Sequence, residues 1–516
     1  MRAGQGERQV SVGRRVSAHA PASLVLDGPA TWREIVAIAI GAPPILSARA
    51  TARLDGARAL LAAVEGRDRP AYGINTGVGG LCETIVDRDR RKALSRNIVM
   101  SHSAGIGPPL GTVETRAVMA AQISNFLHGA SGIRTEIVEA LCALLAADCL
   151  PIVPSRGSVG YLSHGAAIGL VLIGSGRARH RGETLTGAEA MARIGLAPFV
   201  LEAKEGLSLV NGTPCATGLA CIALDRSERL LDWADAAAAM TYENLGGQAD
   251  MFAPDTLALR ASPGLARTGE TMRAYLNGSA LLARRAGERT QDPLSLRAIP
   301  QYHGALRDTF ATIEAVVTRE LASATDNPAL SGTPAEPRVR MGAQAVGVAL
   351  GLAMDQLAIG AASLAMMAER RIDRLVNPLV SGLPAFLAVE GGVGSGLMIA
   401  QYAAASLVAE NRRLASAASL DGGITSGLQE DVLAHATPAS TKALAILDNL
   451  AHVLAIELLC AAQAYDLQGG DVAIAPRTDA VRRQVRAAVP IYRDDRPLNE
   501  DFAAMLAVMQ APPRTD

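Results

Sequence analysis

The sequence predicts a mainly α-helical fold in which a bundle of long helices follows a loop-rich N-terminal region. Strand-like runs are short and few, and long stretches with apolar residues at helical spacing dominate the 516-residue chain. A chain of this length can bury a large core. Long, Ala-rich helices pack closely only against similar partners, so we expect the bundle to continue across subunits. The predicted long helices cover residues 113–128, 134–149, 303–323, 342–371, 396–417 and 440–468.

The N-terminal elements begin with a tail. Residues 1–23 carry four arginines but no apolar run, which predicts a flexible tail rather than a secretory signal. The run Ser-Leu-Val-Leu at 23–26 is typical of a short strand. Thr31 and Glu34 then form a capping-box pattern ahead of the apolar run 35–40, which predicts the first helix.

A change in organisation near residue 210 predicts two domains after the tail. Before it, short helices alternate with Gly-rich and Pro-rich loops, and beyond it helices of 20 to 30 residues dominate. We therefore expect a flexible tail over 1–23, a catalytic-loop domain over 24–210 and a long-helix domain over 211–516.

The most apolar stretch, 343–367, is nearly long enough to cross a membrane. It contains Gln344 and Asp355 and much Ala and Gly. We expect a helix buried on all sides of a soluble bundle instead.

Composition favours small-molecule chemistry. The 49 basic and 50 acidic residues give a net charge of −1, so nothing indicates binding to nucleic acid or to an anionic membrane. The six cysteines form no Cys-x-x-Cys pair and most lie in apolar stretches. We therefore expect reduced core cysteines, no metal site and a cytoplasmic location.

Six motifs with polar residues are spread over most of the chain. They are Ala-Tyr-Gly-Ile-Asn-Thr-Gly at 71–77, Leu-Ser-Arg-Asn and Ser-His-Ser-Ala-Gly at 94–97 and 101–105, Lys-Glu-Gly-Leu-Ser-Leu-Val-Asn-Gly-Thr at 204–213, Gln-Asp-Pro-Leu-Ser-Leu-Arg at 291–297, Thr-Asp-Asn-Pro at 325–328 and Gln-Glu-Asp at 429–431. In this order they closely resemble the histidine, phenylalanine and tyrosine ammonia-lyase family. The resemblance implies an ammonia-lyase and fumarase-like helical bundle. It also implies a homotetramer whose active sites combine loops from three subunits.

The resemblance implies a base and a carboxylate-binding group. Tyr72 would remove the β-proton, and a phenol with a free pKa of about 10 must be pushed toward ionisation to do so. Tyr72 could instead merely anchor its Gly-rich loop. Arg297 would hold the substrate carboxylate with its planar fork. Gln291, Asn211 and Asn327 are predicted companions in substrate binding, although each could instead cap a turn.

Two further residues bear on the substrate ring. Glu430 occupies a position at which histidine-type members of the family present a carboxylate to the imidazole, which suits a ring with an N–H. His102 points the same way less strongly, because histidine at this position occurs in both histidine and tyrosine lyases. Alone, His102 could equally be a hydrogen-bonding core residue.

The segment that carries the family's electrophile is three residues short. In the family, an Ala-Ser-Gly triplet follows Gly-Ser-Val-Gly and cyclises into methylidene-imidazolone (MIO). Here Tyr161 follows Gly-Ser-Val-Gly at 157–160 directly, so we expect no MIO and no other cofactor. The Ala-Ser-Gly at 130–132 matches a turn between helices, where the backbone is not compressed for cyclisation. Leu294 and Ala322 replace a tyrosine and an asparagine that surround the electrophile in the family.

The shortened segment suggests an unusual leaving group. MIO captures a primary amine covalently, whereas a quaternary amine leaves unaided as a neutral tertiary amine. The retained residues are then similar to those of ergothionases, and we expect elimination of trimethylamine from ergothioneine or a related histidine betaine to give thiourocanate or urocanate. Tyr161 would contact the trimethylammonium group by a cation–π interaction, or would only pack the shortened loop. A conventional histidine or aromatic amino acid ammonia-lyase and a non-catalytic family member remain alternatives.

Overall fold

The computed structural model describes residues 22–67, 69–420, 422–469 and 473–515. The predicted mainly α fold is confirmed. The helices are α1 Trp32–Ala39, α2 Ala48–Glu65, α3 Arg91–His102, α4 Thr112–Phe126, α5 Thr135–Ala146, α6 Ser163–Leu172, α7 Gly187–Arg193, α8 Glu205–Val210, α9 Pro214–Asn244, α10 Pro254–Ala258, α11 Pro263–Leu276, α12 Ala280–Arg284, α13 Leu294–Arg297, α14 Ile299–Leu321, α15 Val348–Val376, α16 Pro378–Ser381, α17 Met398–Leu414, α18 Ala436–Leu467, α19 Pro476–Ala488 and α20 Leu498–Val508.

Short strands connect the helices in small sheets. β1 pairs with β2 in parallel, whereas β3 with β5, β4 with β6, β6 with β7 and β8 with β9 pair antiparallel. Their bounds are β1 Leu24–Leu26, β2 Pro44–Leu46, β3 Ile106–Pro109, β4 Cys149–Pro151, β5 Pro154–Arg156, β6 Arg177–His180, β7 Glu183–Thr186, β8 Ala329–Gly332 and β9 Pro337–Arg340.

The first helix begins as its sequence predicts. Thr31 Oγ1 accepts a hydrogen bond from the backbone N–H of Glu34 at 3.3 Å. The Glu34 carboxylate accepts one from the backbone N–H of Thr31 at 2.7 Å, which completes the capping box. The predicted tail lies almost wholly outside the described residues, which begin at 22.

Helices α9, α15 and α18 pack side by side at the centre of the bundle. A buried polar contact joins all three, because Glu457 on α18 accepts from Arg371 Nε on α15 at 2.6 Å and from Thr241 Oγ1 on α9 at 2.8 Å. The Arg371 and Glu457 side chains are fully buried. Such a pair strongly disfavours any arrangement of the helices that separates its partners.

Helix α15 corrects one prediction. The expectation of a helix buried on all sides is wrong for the single chain, because Leu352 and Ile359 are 53% and 52% exposed. Val348 and Met366 extend the same exposed stripe at helical spacing. The bundle of one chain covers only the opposite face of this helix.

Three helical segments of the described chain are long and apolar enough to cross a membrane: Glu205–Asn244, Val348–Val376 and Ala436–Leu467. The apolar windows of the first and third are 94% and 72% buried inside the bundle, compared with 56% for the second. Protein contacts therefore account for most of the apolar surface of the first and third segments. The predicted domain division near residue 210 stays a prediction; there α8 ends at Val210 and α9 begins at Pro214.

Candidate active site

Tyr72 lies in a loop whose conformation is stabilised by hydrogen bonds to its own polar side chains. Asn75 Oδ1 accepts from the backbone N–H of Ala71 at 2.7 Å, and Thr76 Oγ1 accepts from that of Gly73 at 3.1 Å. Gly73 has a φ of +62°, and a Cβ at this position would come within 2.3 Å of Leu207. These contacts fix the direction in which the half-buried Tyr72 side chain points.

The turn before Glu430 packs directly on the tyrosine loop. Gly80 N–H donates to Ser426 Oγ at 3.1 Å. Ser426, Gly427 and Leu428 all have positive φ, at 53°, 61° and 74°. Side-chain-bearing residues adopt this conformation at a cost, and such strain concentrates at functional sites. The turn closes with a bridge in which Glu430 accepts from Thr425, whose Oγ1 lies 2.6 Å from Glu430 Oε2.

The segment 157–162 carries Tyr161 and is held by hydrogen bonds of its own. Ser158 Oγ donates to the main-chain oxygen of Tyr161 at 2.7 Å, and Leu162 N–H donates to the oxygen of Val210 at 2.9 Å. Leu162 is itself held at a φ of +79°. Tyr161 is 7% exposed, and the negative charge of Glu430 acts on its phenol. Tyr161 therefore enters the same site as Tyr72 and Glu430.

The electrostatics of this site favour protonated phenols in the single chain. Burial raises the pKa of Tyr72; the N–H of Gly79, which donates to the phenol oxygen at 2.9 Å, opposes this, and the charge of Glu430 adds to it. Burial and, after it, the negative charge of Glu430 raise the pKa of Tyr161 to about 12. The sequence-based expectation was that Tyr72 is pushed toward ionisation. One chain supplies the opposite environment, because burial and, after it, the negative charge of Glu430 raise the pKa of Tyr72.

His102 reaches the edge of the same group as the last residue of α3. Burial lowers its pKa, and the negative charge of Glu430 acts in the opposite direction. Its Nδ1 lies 3.0 Å from Ser101 Oγ. The charge of Glu430 therefore acts on His102 as it does on Tyr72 and Tyr161.

Asn211 is held by a buried polar network. Its amide donates to the main-chain oxygen of Asn327 at 2.6 Å and approaches Asp326 Oδ1 at 3.5 Å. The other carboxylate oxygen of Asp326 accepts from Lys204 Nζ at 2.7 Å and from Ser208 Oγ at 2.9 Å. The side chain of Asn327 accepts from Gly342 N–H at 2.9 Å. Both predicted asparagines therefore make structural contacts.

Asn211 also shares a small cavity with Tyr161. The cavity has a volume of about 10 Å³, which is room for about one water molecule. Gln122 and His164 line its other side. In the described chain, Gln122 Oε1 is buried without a hydrogen-bond partner, so this wall of the site has an unused acceptor.

Arg297 and Gln291 lie away from Tyr72, Tyr161 and Glu430 of the same chain. Arg297 ends α13, which packs against α14 and α15, and Gln291 is exposed on the preceding loop. Asp292 anchors that loop by accepting from Tyr242 Oη at 3.0 Å. Among the described residues, the half-buried Arg297 guanidinium has a buried Nε with no hydrogen-bond partner. The predicted carboxylate-binding arginine is therefore available but lies apart from the tyrosines of its own chain.

The residues at the electrophile position do not fit MIO. Gly160 joins Tyr161 directly, so no Ser-Gly step is present there. The Ser131–Gly132 dipeptide lies in the turn between α4 and α5, where the main-chain oxygens already accept hydrogen bonds. Ser131 O accepts from Ser208 Oγ at 3.3 Å, and Ala130 O accepts from Leu330 N–H at 2.8 Å. These bonds describe an ordinary, satisfied turn.

Sequence reasoning missed several residues of the site. Lys204 and Asp326 each belong to one of the motifs given above. The spacing of four residues between Lys204 and Ser208 could have indicated that their side chains meet on one side of the chain. His164 and Gln122 carried no such signal, since each lies in a largely apolar run that is typical of a buried helix. Their position beside Tyr161 depends on how α4 and α6 pack.

Comparison with known proteins agrees with this geometry. A model of the aromatic amino acid lyase family matches residues 30–487. The histidine ammonia-lyase of Symbiobacterium thermophilum is 43% identical over 479 residues, covering 92% of this chain and 94% of that protein. The crystal structure of histidine ammonia-lyase from Trypanosoma cruzi is 33% identical, with a TM-score of 0.87 over 94% of this chain and 93% of its own.

A structure of ergothionase from Treponema denticola has the same TM-score of 0.87 but 26% identity, over 95% of this chain and 98% of its own. Four more histidine ammonia-lyases are 40–42% identical to this chain. The predicted release of trimethylamine from ergothioneine or a histidine betaine is therefore wrong. The full-length relatives favour the alternative of a conventional ammonia-lyase. The prediction rested on leaving-group chemistry, which a missing triplet does not specify.

Proposed function

Because this chain belongs to the aromatic amino acid lyase family, we propose that it is a carbon–nitrogen lyase that eliminates ammonia from L-histidine. One observation carries the proposal: 43% identity to a histidine ammonia-lyase across 92% of the chain. The grouping of Tyr72, His102 and Glu430 supports it, because these are the residues that the resemblance assigns to the base and to recognition of the ring.

The proposed reaction is an α,β-elimination. Tyr72, as phenolate, takes the β-proton, and the electrons of the broken C–H bond form the double bond. The C–N bond breaks, and its electron pair leaves with the nitrogen as ammonia. Asn211 and Asn327 would orient the substrate, with Gln291 and Arg297 at its carboxylate. The products are urocanate and ammonia.

We also propose that the active enzyme is a homotetramer with shared sites. Arg297 supports this, because its guanidinium lies apart from the tyrosines and has an unpartnered nitrogen in the described chain. The exposed apolar stripe of α15, from Val348 to Met366, supports it as well. Contiguous apolar surface of this kind is typical of subunit interfaces. A carboxylate site would then be completed by Arg297 of a second copy.

The cofactor proposal is that no MIO forms, since neither residues 130–132 nor the junction of Gly160 and Tyr161 fits it. The remaining partners are proposed to be the amino acid substrate and copies of this chain, without nucleic acid or membrane, in the cytoplasm. The net charge of −1 supports the exclusion of nucleic acid.

Turnover of amino acids tests the function. Purified enzyme is incubated with L-histidine, L-phenylalanine or L-tyrosine, and ammonia and the unsaturated acid are measured together. We expect equal amounts of both from L-histidine, and none from the Tyr72→Phe variant. Absence of ammonia release from L-histidine would contradict the proposal. Release of ammonia from phenylalanine or tyrosine but not from L-histidine would support a lyase with a different substrate.

A further inference from the structure

The connection between α17 and α18 carries Glu430 and is named here the Glu430 loop. The structure describes it over residues 415–420 and 422–435. Residues 422–429, which precede Glu430, are all exposed. A segment with few buried contacts opens easily unless its ends are anchored. The position of Glu430 therefore depends on what the two ends of the loop contact.

Asp355 on α15 anchors the start of the Glu430 loop. Its carboxylate oxygens accept from the backbone N–H groups of Ala418 at 3.0 Å and of Ser419 at 2.8 Å. Lys442 on α18 pairs with Asp355 Oδ1 at 2.5 Å and also donates to the main-chain oxygen of Ser416. The side chains of Asp355 and Lys442 are 6% and 12% exposed, so water competes little for these bonds.

Gly351, one helical turn before Asp355, lies against both ends of the loop. A Cβ at Gly351 would come within 2.8 Å of the main-chain oxygen of Ala434 and within 3.6 Å of Ser419 Cβ. A glycine in the middle of a helix costs about 0.5–1 kcal/mol relative to alanine, so its presence in α15 needs a reason. The close approach of the loop backbone supplies that reason. Helix α15 therefore contacts the Glu430 loop at both ends.

Asp355 lies in the most apolar stretch of the chain, 343–367, where an unpaired charge would be costly. Burial acts to raise the pKa of Asp355, but the hydrogen bonds from Lys442 and from residues 418 and 419 outweigh it and lower the pKa. The carboxylate therefore stays charged at neutral pH and keeps its bonds to the loop. Packing alone would be satisfied by an apolar side chain, as at Met354 and Leu357, which are fully buried.

We propose that Asp355, paired with Lys442, is a positioning residue that acts on Glu430 through the Glu430 loop. This inference rests on the proposed function and deepens it, because it names residues outside the six motifs on which the place of Glu430 depends. The anchoring contacts all lie within one chain, so they form whichever subunit's active site receives the loop. A misplacement of about 1 Å in an active site can lower the rate by about 10²-fold.

Hydrogen exchange tests the anchor without reference to turnover. Asp355→Asn removes the charge and keeps the shape of the side chain, and Lys442→Met, as a second variant, removes the charged partner. We expect backbone amides of residues 415–433 to exchange about tenfold faster or more in both variants. Loop exchange that is unchanged in both variants would overturn the inference.

Asp373→Asn is the matched control for this experiment. Asp373 also lies on α15, and it accepts from Gln401 Nε2 on α17 at 2.8 Å rather than from the Glu430 loop. We expect this variant to exchange in residues 415–433 as the wild type does. Faster loop exchange in Asp373→Asn as well would show general loosening of α15 and would overturn the specific role of Asp355.

Activity then tests whether Asp355 acts through Glu430. We expect Asp355→Asn to lower kcat/KM for L-histidine by about 10- to 100-fold. In enzyme that already carries Glu430→Gln, the same change should lower kcat/KM by less than about threefold, because the group that it positions is gone. Equal factors in the two backgrounds would assign Asp355 a purely structural role and overturn the inference.

Absence of ammonia release from L-histidine by the wild type, together with faster loop exchange in Asp355→Asn and not in Asp373→Asn, would contradict the proposed function and leave the anchor supported. Turnover of L-histidine with unchanged loop exchange in Asp355→Asn and Lys442→Met would contradict the anchor and leave the proposed function supported.

Discussion

Lys204 Nζ lies 2.7 Å from Asp326 Oδ2, and the two side chains are 0% and 2% exposed. This ion pair lies directly behind Asn211, whose amide approaches the other oxygen of the same carboxylate at 3.5 Å. A surface pair could break with little effect. A buried pair of this kind links the stability of the fold to the position of Asn211, which we propose orients the substrate.

We therefore expect Lys204→Met to lower the free energy of unfolding by about 3–5 kcal/mol, because it leaves Asp326 charged, buried and without its partner. The double variant Lys204→Met/Asp326→Asn should recover part of that loss. Urea unfolding measures both. Lys92→Met provides the control, since Lys92 pairs with Glu202 at the surface and should contribute less than about 1 kcal/mol.

Removal of one oxygen from Tyr72 tests the base. Tyr72→Phe should lower kcat on L-histidine by about 10²- to 10⁴-fold, because general-base catalysis contributes an effect of this size. The affinity for imidazolepropionate should stay nearly unchanged, since this ligand lacks the amine. Steady-state rates and calorimetric binding give the two numbers. A rate within a few-fold of wild type would remove Tyr72 from the role of base.

Shared active sites predict rescue between two inactive variants. Tyr72→Phe and Arg297→Ala should each be nearly inactive alone. When the two are unfolded together and refolded, random assortment should give about a quarter of the sites both native residues if these come from different subunits. Each variant refolded alone is the control. Failure to regain activity, with assembly confirmed by sedimentation, would show that one chain supplies both residues.

Intact mass tests the cofactor. MIO formation expels two water molecules, so we expect wild-type protein at the full mass of its sequence. A family member that carries the Ala-Ser-Gly triplet, measured in the same way, should be lighter by two waters. A corresponding loss in this chain would contradict the absence of MIO. Peptide mapping would then decide whether residues 130–132 had cyclised.

The pH dependence of stability should reflect His303, which is fully buried beside Asp235 at 2.7 Å. Burial lowers the pKa of His303 below its ordinary value, against the opposing influence of Asp235. A folded pKa below the unfolded one leaves stability unaffected above about pH 6.5 and reduces it as the pH falls below. Urea unfolding at pH 7.5 and 5.5 should thus show a lower free energy at the acid value. His303→Gln should reduce that difference; an unchanged difference would exclude His303 as a source.

The sequence predicted correctly those helices and helix ends that depend on contacts between residues close together in the chain. The capping box of Thr31 and Glu34 needs residues only three apart, and it is present as predicted. The long helices follow their periodic patterns within a few residues, as α18 does at Ala436–Leu467 against the predicted 440–468. Helix α9 at Pro214–Asn244 was not predicted, because apolar residues surround it on all sides and leave no clear stripe.

The candidate site was predicted in its residues but not in its arrangement. The motifs named Tyr72 and Glu430, yet the hydrogen bond from Gly80 to Ser426 that brings their two loops together forms only in the folded chain. The raised pKa of Tyr72 depends on burial, which no motif specifies. The leaving group was predicted incorrectly, since a shortened segment does not specify which substrate is used.

The contact between Gly80 and Ser426 has a consequence for synthesis of the protein. The two residues are 346 positions apart, and the carboxylate of Glu430 follows the second one. A nascent chain on the ribosome therefore carries its tyrosine loop long before the turn that completes the site is translated. Proteins truncated before this turn would retain Tyr72 and lack both Glu430 and α18, which packs at the centre of the bundle, so we expect incomplete products of translation not to fold into the bundle.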